Sequence, residues 1–232
     1  MALTLKDLIR RFRVLAKDVP QPYRVEDEDV IDWLNDAQAQ ACVRGRLLVA
    51  EDDPALCQVT LTPGQSAYEH NRALYEFIDL RIKSPTGEVR KVALKSRECL
   101  DAELPGWRDH QRPACMAIQT DTGLRLVGYV YSGEVLHLEA YRLPLEPMVG
   151  PADPNDPAAV WPAPEIHDAH HEHLVQWALH KAFSIPDSEL FDTERSALAE
   201  RAFSRYFGLL PDSDIRRITR EDVVHHNKAI LP

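Results

Sequence analysis

Seven prolines fall between residues 144 and 164: Pro144, Pro147, Pro151, Pro154, Pro157, Pro162 and Pro164. Proline fixes φ and donates no backbone hydrogen bond, so neither a helix nor an inner strand runs through such a stretch. The crossing divides the chain, and what lies on either side has a different hydrophobic period.

After the crossing the period is helical. Residues 165–184 predict a helix that Pro164 introduces just ahead of its first turn, with Leu174, Trp177, Ala178 and Ala182 on its apolar side. Pro186, Asp187 and Ser188 predict the break and cap before a second helix, where Ala199, Ala202, Phe203, Tyr206, Phe207 and Leu210 recur at helical spacing and Gly208 is a candidate C-cap. Residues 211–232 are mixed in charge and weakly amphipathic, which predicts a tail that is flexible or ordered only on a partner.

The N-terminus is helical too. Thr4 is placed to cap a helix with Asp7 as its approximate capping-box partner, and Leu5, Leu8, Ile9, Phe12, Leu15 and Ala16 make one stripe. Lys6, Arg10, Arg11 and Arg13 read as the solvated face. Val19-Pro20-Gln21-Pro22 breaks the pattern. Glu26, Asp27, Glu28 and Asp29 then open a second helix, where carboxylates complement the dipole. Val30, Ile31, Leu34, Ala37, Ala41 and Cys42 form its buried stripe, Trp33 lies on a flank, and Gly45 stands near its end.

Between these helical ends the period becomes two. Strands are expected around Cys57–Leu61, Phe77–Ile82, Val89–Leu94, Cys115–Ile118, Leu124–Val127 and Val135–Tyr141, with a short helix near Arg97–Leu104. Turn residues separate them, including Thr62-Pro63-Gly64-Gln65 with Pro and Gly in type II positions. Strands in one block, flanked by helices, point to an α+β fold and exclude a doubly wound one. The expected organisation is a helical hairpin over 1–50, an antiparallel β-rich module over 51–143, a linker over 144–164, C-terminal helices over 165–210 and the tail over 211–232. The two helical parts would form one module, with the β module inserted.

A chain of 232 residues suffices for one or two domains with a sizeable core. Its formal net charge of −10 argues against a surface whose main task is to grip phosphates. Cys42, Cys57, Cys99 and Cys115 are widely spaced and suit reduced thiols. The N-terminus becomes charged at Lys6 and Asp7, so no signal peptide is expected. No apolar run approaches the ~20 residues of a membrane span.

Residues 165–184 also hold five of the ten histidines. On a helix His167, His170 and His171 share a side, which makes them the one candidate metal set, and a zinc-dependent enzyme built on His167–His173 is an alternative reading. The H-E-x-x-H pattern fails, because Val175 stands where the second ligand would be. There is no G-x-S-x-G elbow, Walker loop or G-x-G-x-x-G. Trp107, after Pro105-Gly106, reads as core, with a loop anchor or a partner contact as alternatives. No catalytic residue and no cofactor are expected, and nothing in the sequence supports an enzyme. A monomeric binding module is a further alternative.

Several segments together resemble the adaptor, or head-completion, proteins that connect head and tail in tailed bacteriophages. They are Trp33-Leu34-Asn35-Asp36-Ala37-Gln38, Leu61-Thr62-Pro63-Gly64-Gln65-Ser66-Ala67-Tyr68-Glu69, Pro105-Gly106-Trp107-Arg108 and Tyr141-Arg142-Leu143-Pro144-Leu145. To these are added Ile166-His167 through Trp177-Ala178-Leu179 and Ala182-Phe183-Ser184 to Ala202-Phe203-Ser204-Arg205-Tyr206-Phe207-Gly208. The resemblance spans most of residues 4–208. His70-Asn71 departs from the Leu-Pro usual in such proteins after this strand.

The resemblance implies a structural virion protein of the neck, assembled in the host cytoplasm into a ring, expected to be a dodecamer, beneath the portal protein. Helices would form the wall, and the β module would face outward or toward tail or nozzle proteins. Genomic DNA would pass the lumen without sequence-specific binding, and no membrane partner is implied. The C-terminal segment would reach the portal, with Ile215, Arg216, Arg217, Ile218, Arg220, Ile230 and Leu231 as contacts. A negative lumen suits this role, since DNA slides where no counterion-releasing contacts hold it.

Overall fold

The computed structural model describes residues 2–120, 122–154, 156 and 158–210. In chain order the elements are α1 (Leu5–Ala16), α2 (Asp27–Gly45), β1 (Val49–Ala50), α3 (Pro54–Cys57), β2 (Gln58–Thr60), β3 (Ala67–Glu69), β4 (Leu74–Lys83), β5 (Val89–Lys91) and β6 (Ala93–Leu94). There follow α4 (Arg97–Glu103), β7 (Met116–Gln119), β8 (Gly123–Val127), β9 (Val135–Arg142), α5 (His171–Ser184) and α6 (Thr193–Phe207). The fold is α+β. Two compact units form: the chain up to Leu48 together with Leu143–Leu210, and Val49–Arg142.

In the helical unit, α1 begins with a full capping box. The Asp7 N–H donates to Thr4 Oγ1 at 3.3 Å, and the Thr4 N–H donates back to Asp7 Oδ2 at 3.1 Å. The hydrogen bonds from Thr4 hold the Asp7 carboxyl below the usual carboxylate range. Leu5, Leu8, Phe12 and Ala16 face inward as their spacing requires, whereas Leu15 is half exposed. Arg13 overturns its reading as part of a solvated face. It is buried, and its guanidinium bonds Asp18, Asp27 and the Val25 carbonyl. The chain after α1 folds back over that face, so a cation on it needs partners, and the carboxylates supply them.

α2 and α1 share a core with α5 and α6, centred on Leu34, Leu174, Ala178 and Phe203, all fully buried. Burying side chains of this size contributes about 1.5–3 kcal/mol each before conformational entropy is subtracted. The left-handed residue ending α2 is Arg46 (φ 51°), not Gly45, which stays in the helix. A Cβ on Gly45 would lie 2.9 Å from Leu47 Cδ2. The expected helix over 165–184 is shorter: α5 starts at His171, after a 3-10 turn over Asp168–His170. The reason lies in α2, where Gln38 Oε1 accepts from the N–H groups of Glu165 (2.6 Å) and Ile166 (3.4 Å) and holds them off the helix axis. Likewise α6 is capped by Asp192, whose carboxylate accepts from the Arg195 N–H at 3.0 Å, rather than at 186–188.

The proline-rich crossing has no helix or strand among its described residues. Asn35 clamps it to α2, donating to the Met148 carbonyl (3.0 Å) and accepting from the Met148 N–H (2.8 Å).

The second unit holds two sheets around one core. The first has the order β1-β9-β4-β5, with β2 also on β9, and all of its pairs are antiparallel. The second has the order β3-β8-β7-β6. Its β6–β7 pair is parallel, which departs from the expected antiparallel meander. Leu80, Ile82, Leu136 and Leu138 from the first sheet meet Tyr68, Ala117, Leu124 and Leu126 from the second. The far face of the second sheet is covered as well, where Ile118 and Val127 pack with Leu100 of α4 and Trp107. Trp107 is core, as its context suggested, and its Nε1–H donates to Asp101 at 2.8 Å. Gly64 (φ +84°) sits in the predicted type II turn, which the Gln65 N–H closes onto the Thr62 carbonyl at 3.1 Å.

Candidate interaction surfaces

The histidine-rich start of α5 is a latch, not a ligand set. His171 is buried, with both ring nitrogens engaged: Nε2–H donates to the Ile166 carbonyl at 2.8 Å, and the Leu3 N–H donates to Nδ1 at 3.2 Å. His167 Nδ1 accepts from the Ala169 N–H at 3.2 Å. Tyr206 of α6 donates its hydroxyl proton to the Ala169 carbonyl at 3.2 Å, so the Tyr206 hydroxyl oxygen accepts from His170 Nδ1–H, also at 3.2 Å. His173 stacks on the Tyr206 ring with centroids 3.5 Å apart. Burial first, and then the neighbouring His167, His173 and His171, push the His170 pKa below the ordinary histidine value. Among the described residues no group of three or more His, Cys, Asp or Glu could hold a metal ion. The side chains of the zinc alternative are engaged separately: His170 bonds Tyr206 of α6, His171 bonds Leu3 and Ile166, and His167 bonds the Ala169 N–H.

One turn further along α5, Trp177 donates to Asp36 of α2 at 2.7 Å and packs against Phe203, with ring centroids 5.0 Å apart. The Arg44 guanidinium lies 4.9 Å from the Trp177 ring and donates to Ser204 Oγ at 2.9 Å. Burial lowers its pKa from the usual arginine value. This arrangement fixes α2, α5 and α6 as one rigid block.

Two open grooves flank that block, each within the helical unit. The first, about 370 Å³, lies between α1 and α5 and is lined by Arg10, Arg11, Val14, Leu15, Glu172, Val175 and Gln176. Arg11 pairs with Glu172 at 2.6 Å. The second, about 390 Å³, lies between α2 and the crossing, where Ile31, Met148, Val149 and Trp161 give an apolar lining and Glu28 and Asp32 add carboxylates. Neither groove was apparent from the sequence. The first needs α1 beside α5, and the second needs the Asn35 clamp. In the β unit a cleft of about 350 Å³ on the outer face of the first sheet is lined by charges of both signs, among them Asp79, Arg81, His137 and Glu139. Asp79 pairs with Arg81 there, and with Glu51, Asp52, Asp79 and Glu139 set against Arg81 and Lys83 the lining is acidic on balance.

The proposed portal contacts Ile215, Arg216, Arg217, Ile218, Arg220, Ile230 and Leu231 lie outside the described residues. No described helix is long and apolar enough to cross a membrane.

Residues 3–225 match the family model described as SU10 adaptor protein, and the chain belongs to that family. It is a phage adaptor-type protein, a structural component of the virion. No curated protein matches the chain.

Proposed function

We propose that the protein is a neck adaptor: a ring, expected to be a dodecamer, that docks beneath the portal, joins head to tail and surrounds the channel through which DNA passes. The observation that carries this reading is the family match over nearly the whole chain, residues 3–225. The chemistry is in keeping with it. With a formal net charge of −10, the protein does not offer the excess of Lys and Arg that phosphate-gripping surfaces need, so a passing duplex is left free to slide. The helical unit has the rigidity of a wall element, since α2, α5 and α6 share one core and the Trp177–Asp36 bond. The β unit is left for tail or nozzle proteins.

The C-terminal segment is the proposed portal contact. Deleting residues 212–232 should abolish co-sedimentation with the cognate portal ring, while the unfolding midpoint of the body stays within about a degree or two, as expected for a weakly amphipathic terminal segment. Undiminished docking by the truncated chain would overturn the assignment of that segment.

A further inference from the structure

The two grooves of the helical unit have opposite character and lie on opposite flanks of α1. Arg11 and Arg13 are two residues apart, about 200° around a helix. Arg13 faces the start of α2, bonding Val25 and Asp27, and Lys6 on the same flank reaches over the Trp161 ring at 5.8 Å. Arg11 faces the other way, toward Glu172 of α5. The groove on Arg11's side presents Arg10 with Val14 and Leu15, which are 60% and 48% exposed. Arg10 has no ion pair among the described residues. The groove on Arg13's side presents Glu28 and Asp32, one helical turn apart and both exposed, with Val149 at 67% exposure. Neither of these carboxylates has an ion pair among the described residues.

We propose that the Arg10–Val14–Leu15 groove of one copy receives the Glu28–Asp32–Val149 face of a second copy. Each side joins charge of predominantly one sign to exposed apolar surface, and the signs are opposite. Such a contact is heterologous, because the two faces differ and sit on opposite flanks, so every copy keeps one of each free for the next. Charge complementarity of this kind fixes register and speeds encounter more than it adds affinity, and salt weakens it. The inference rests on the ring reading above in supposing that copies meet, and it names the surfaces through which they do.

The test is sedimentation velocity on the full chain without portal, across protein concentration, at low and high salt. Wild type should self-associate reversibly, and less so in high salt. Arg10→Glu and the double variant Glu28→Lys/Asp32→Lys should each weaken association by about tenfold or more while keeping the wild-type unfolding midpoint. An equimolar mixture of the two should restore it, since each variant then finds a complementary face. The proposal is overturned by a wild type that stays monomeric at every concentration, by variants that associate like wild type, or by a mixture that fails to recover. Association abolished by removing 211–232 but indifferent to the charge changes would assign the groove to the tail, which also overturns it. None of these outcomes bears on docking to a portal, which is read separately.

Discussion

Arg13 and Asp18 form an ion pair across the end of α1 with side chains only 5% and 1% exposed. Asp18 also accepts from the Arg24 N–H at 2.9 Å, and Arg13 continues to Asp27 and the Val25 carbonyl. One buried cation thereby organises the whole connection between α1 and α2. The left-handed Lys17 (φ 62°) makes the sharp reversal that brings Asp18 beneath it.

Removing Arg13 leaves the buried Asp18 carboxylate without its counter-charge. Arg13→Ala should therefore lower unfolding free energy by about 3–5 kcal/mol. Urea denaturation followed by far-UV circular dichroism checks it. A loss below about 1 kcal/mol, the level of a surface pair, would show that the connection is held by other contacts.

Arg90 and Glu134 play the corresponding part in the β unit. Arg90 donates to Glu134 at 2.9 Å and to the Ala114 carbonyl at 2.7 Å, and the Tyr131 N–H donates to Glu134 at 2.9 Å. Glu134 is buried. Glu134→Ala should cost about 3 kcal/mol or more, whereas Arg81→Ala, on the exposed face of the same sheet, should cost less than about 1 kcal/mol. Equal losses in denaturant titrations of the two variants would refute the distinction.

The capping box at Thr4 is a smaller, local contribution. Thr4→Ala should destabilise by about 1 kcal/mol. Amide exchange should quicken in the first turn of α1 more than in α5. Uniform quickening through the helical unit would mean that Thr4 acts elsewhere.

The lowered His170 pKa sets a pH dependence. Its folded-state value lies below its unfolded value, so the unfolded chain binds the extra proton first. Stability from this group is present above the ordinary histidine value near 6.5 and is lost as pH falls from there through the lowered folded value. The unfolding midpoint should drop across that window, and His170→Asn should flatten the drop. An unchanged slope in His170→Asn would place the pH sensitivity on other groups.

Much of the fold was legible because it rests on period and caps. The stripes of α1 and α2, the Thr4 cap, the strands later found as β4 and β9, and the type II turn at Gly64 follow from local residues. Other features depend on partners distant in sequence. Arg13 looked solvated because its partners only meet it after the chain reverses at Lys17. The first residues of the expected 165–184 helix were drawn off by Gln38, more than a hundred positions earlier. The parallel β6–β7 pair joins two short strands separated by α4, and nothing within either strand signals its direction. The histidines misled for a related reason. Their spacing suits a metal, but Tyr206, Leu3 and Ile166 engage them instead. The two grooves were invisible because each joins residues of two elements that only the tertiary fold brings together.

The most direct test of the neck-adaptor reading is the mass of the species formed when the full chain is mixed with its cognate portal ring. Native mass spectrometry or light scattering should show a discrete complex carrying many copies of this chain per portal ring, with no free portal at saturation. A portal ring whose mass is unchanged, with this protein still monomeric beside it, would contradict the proposed role.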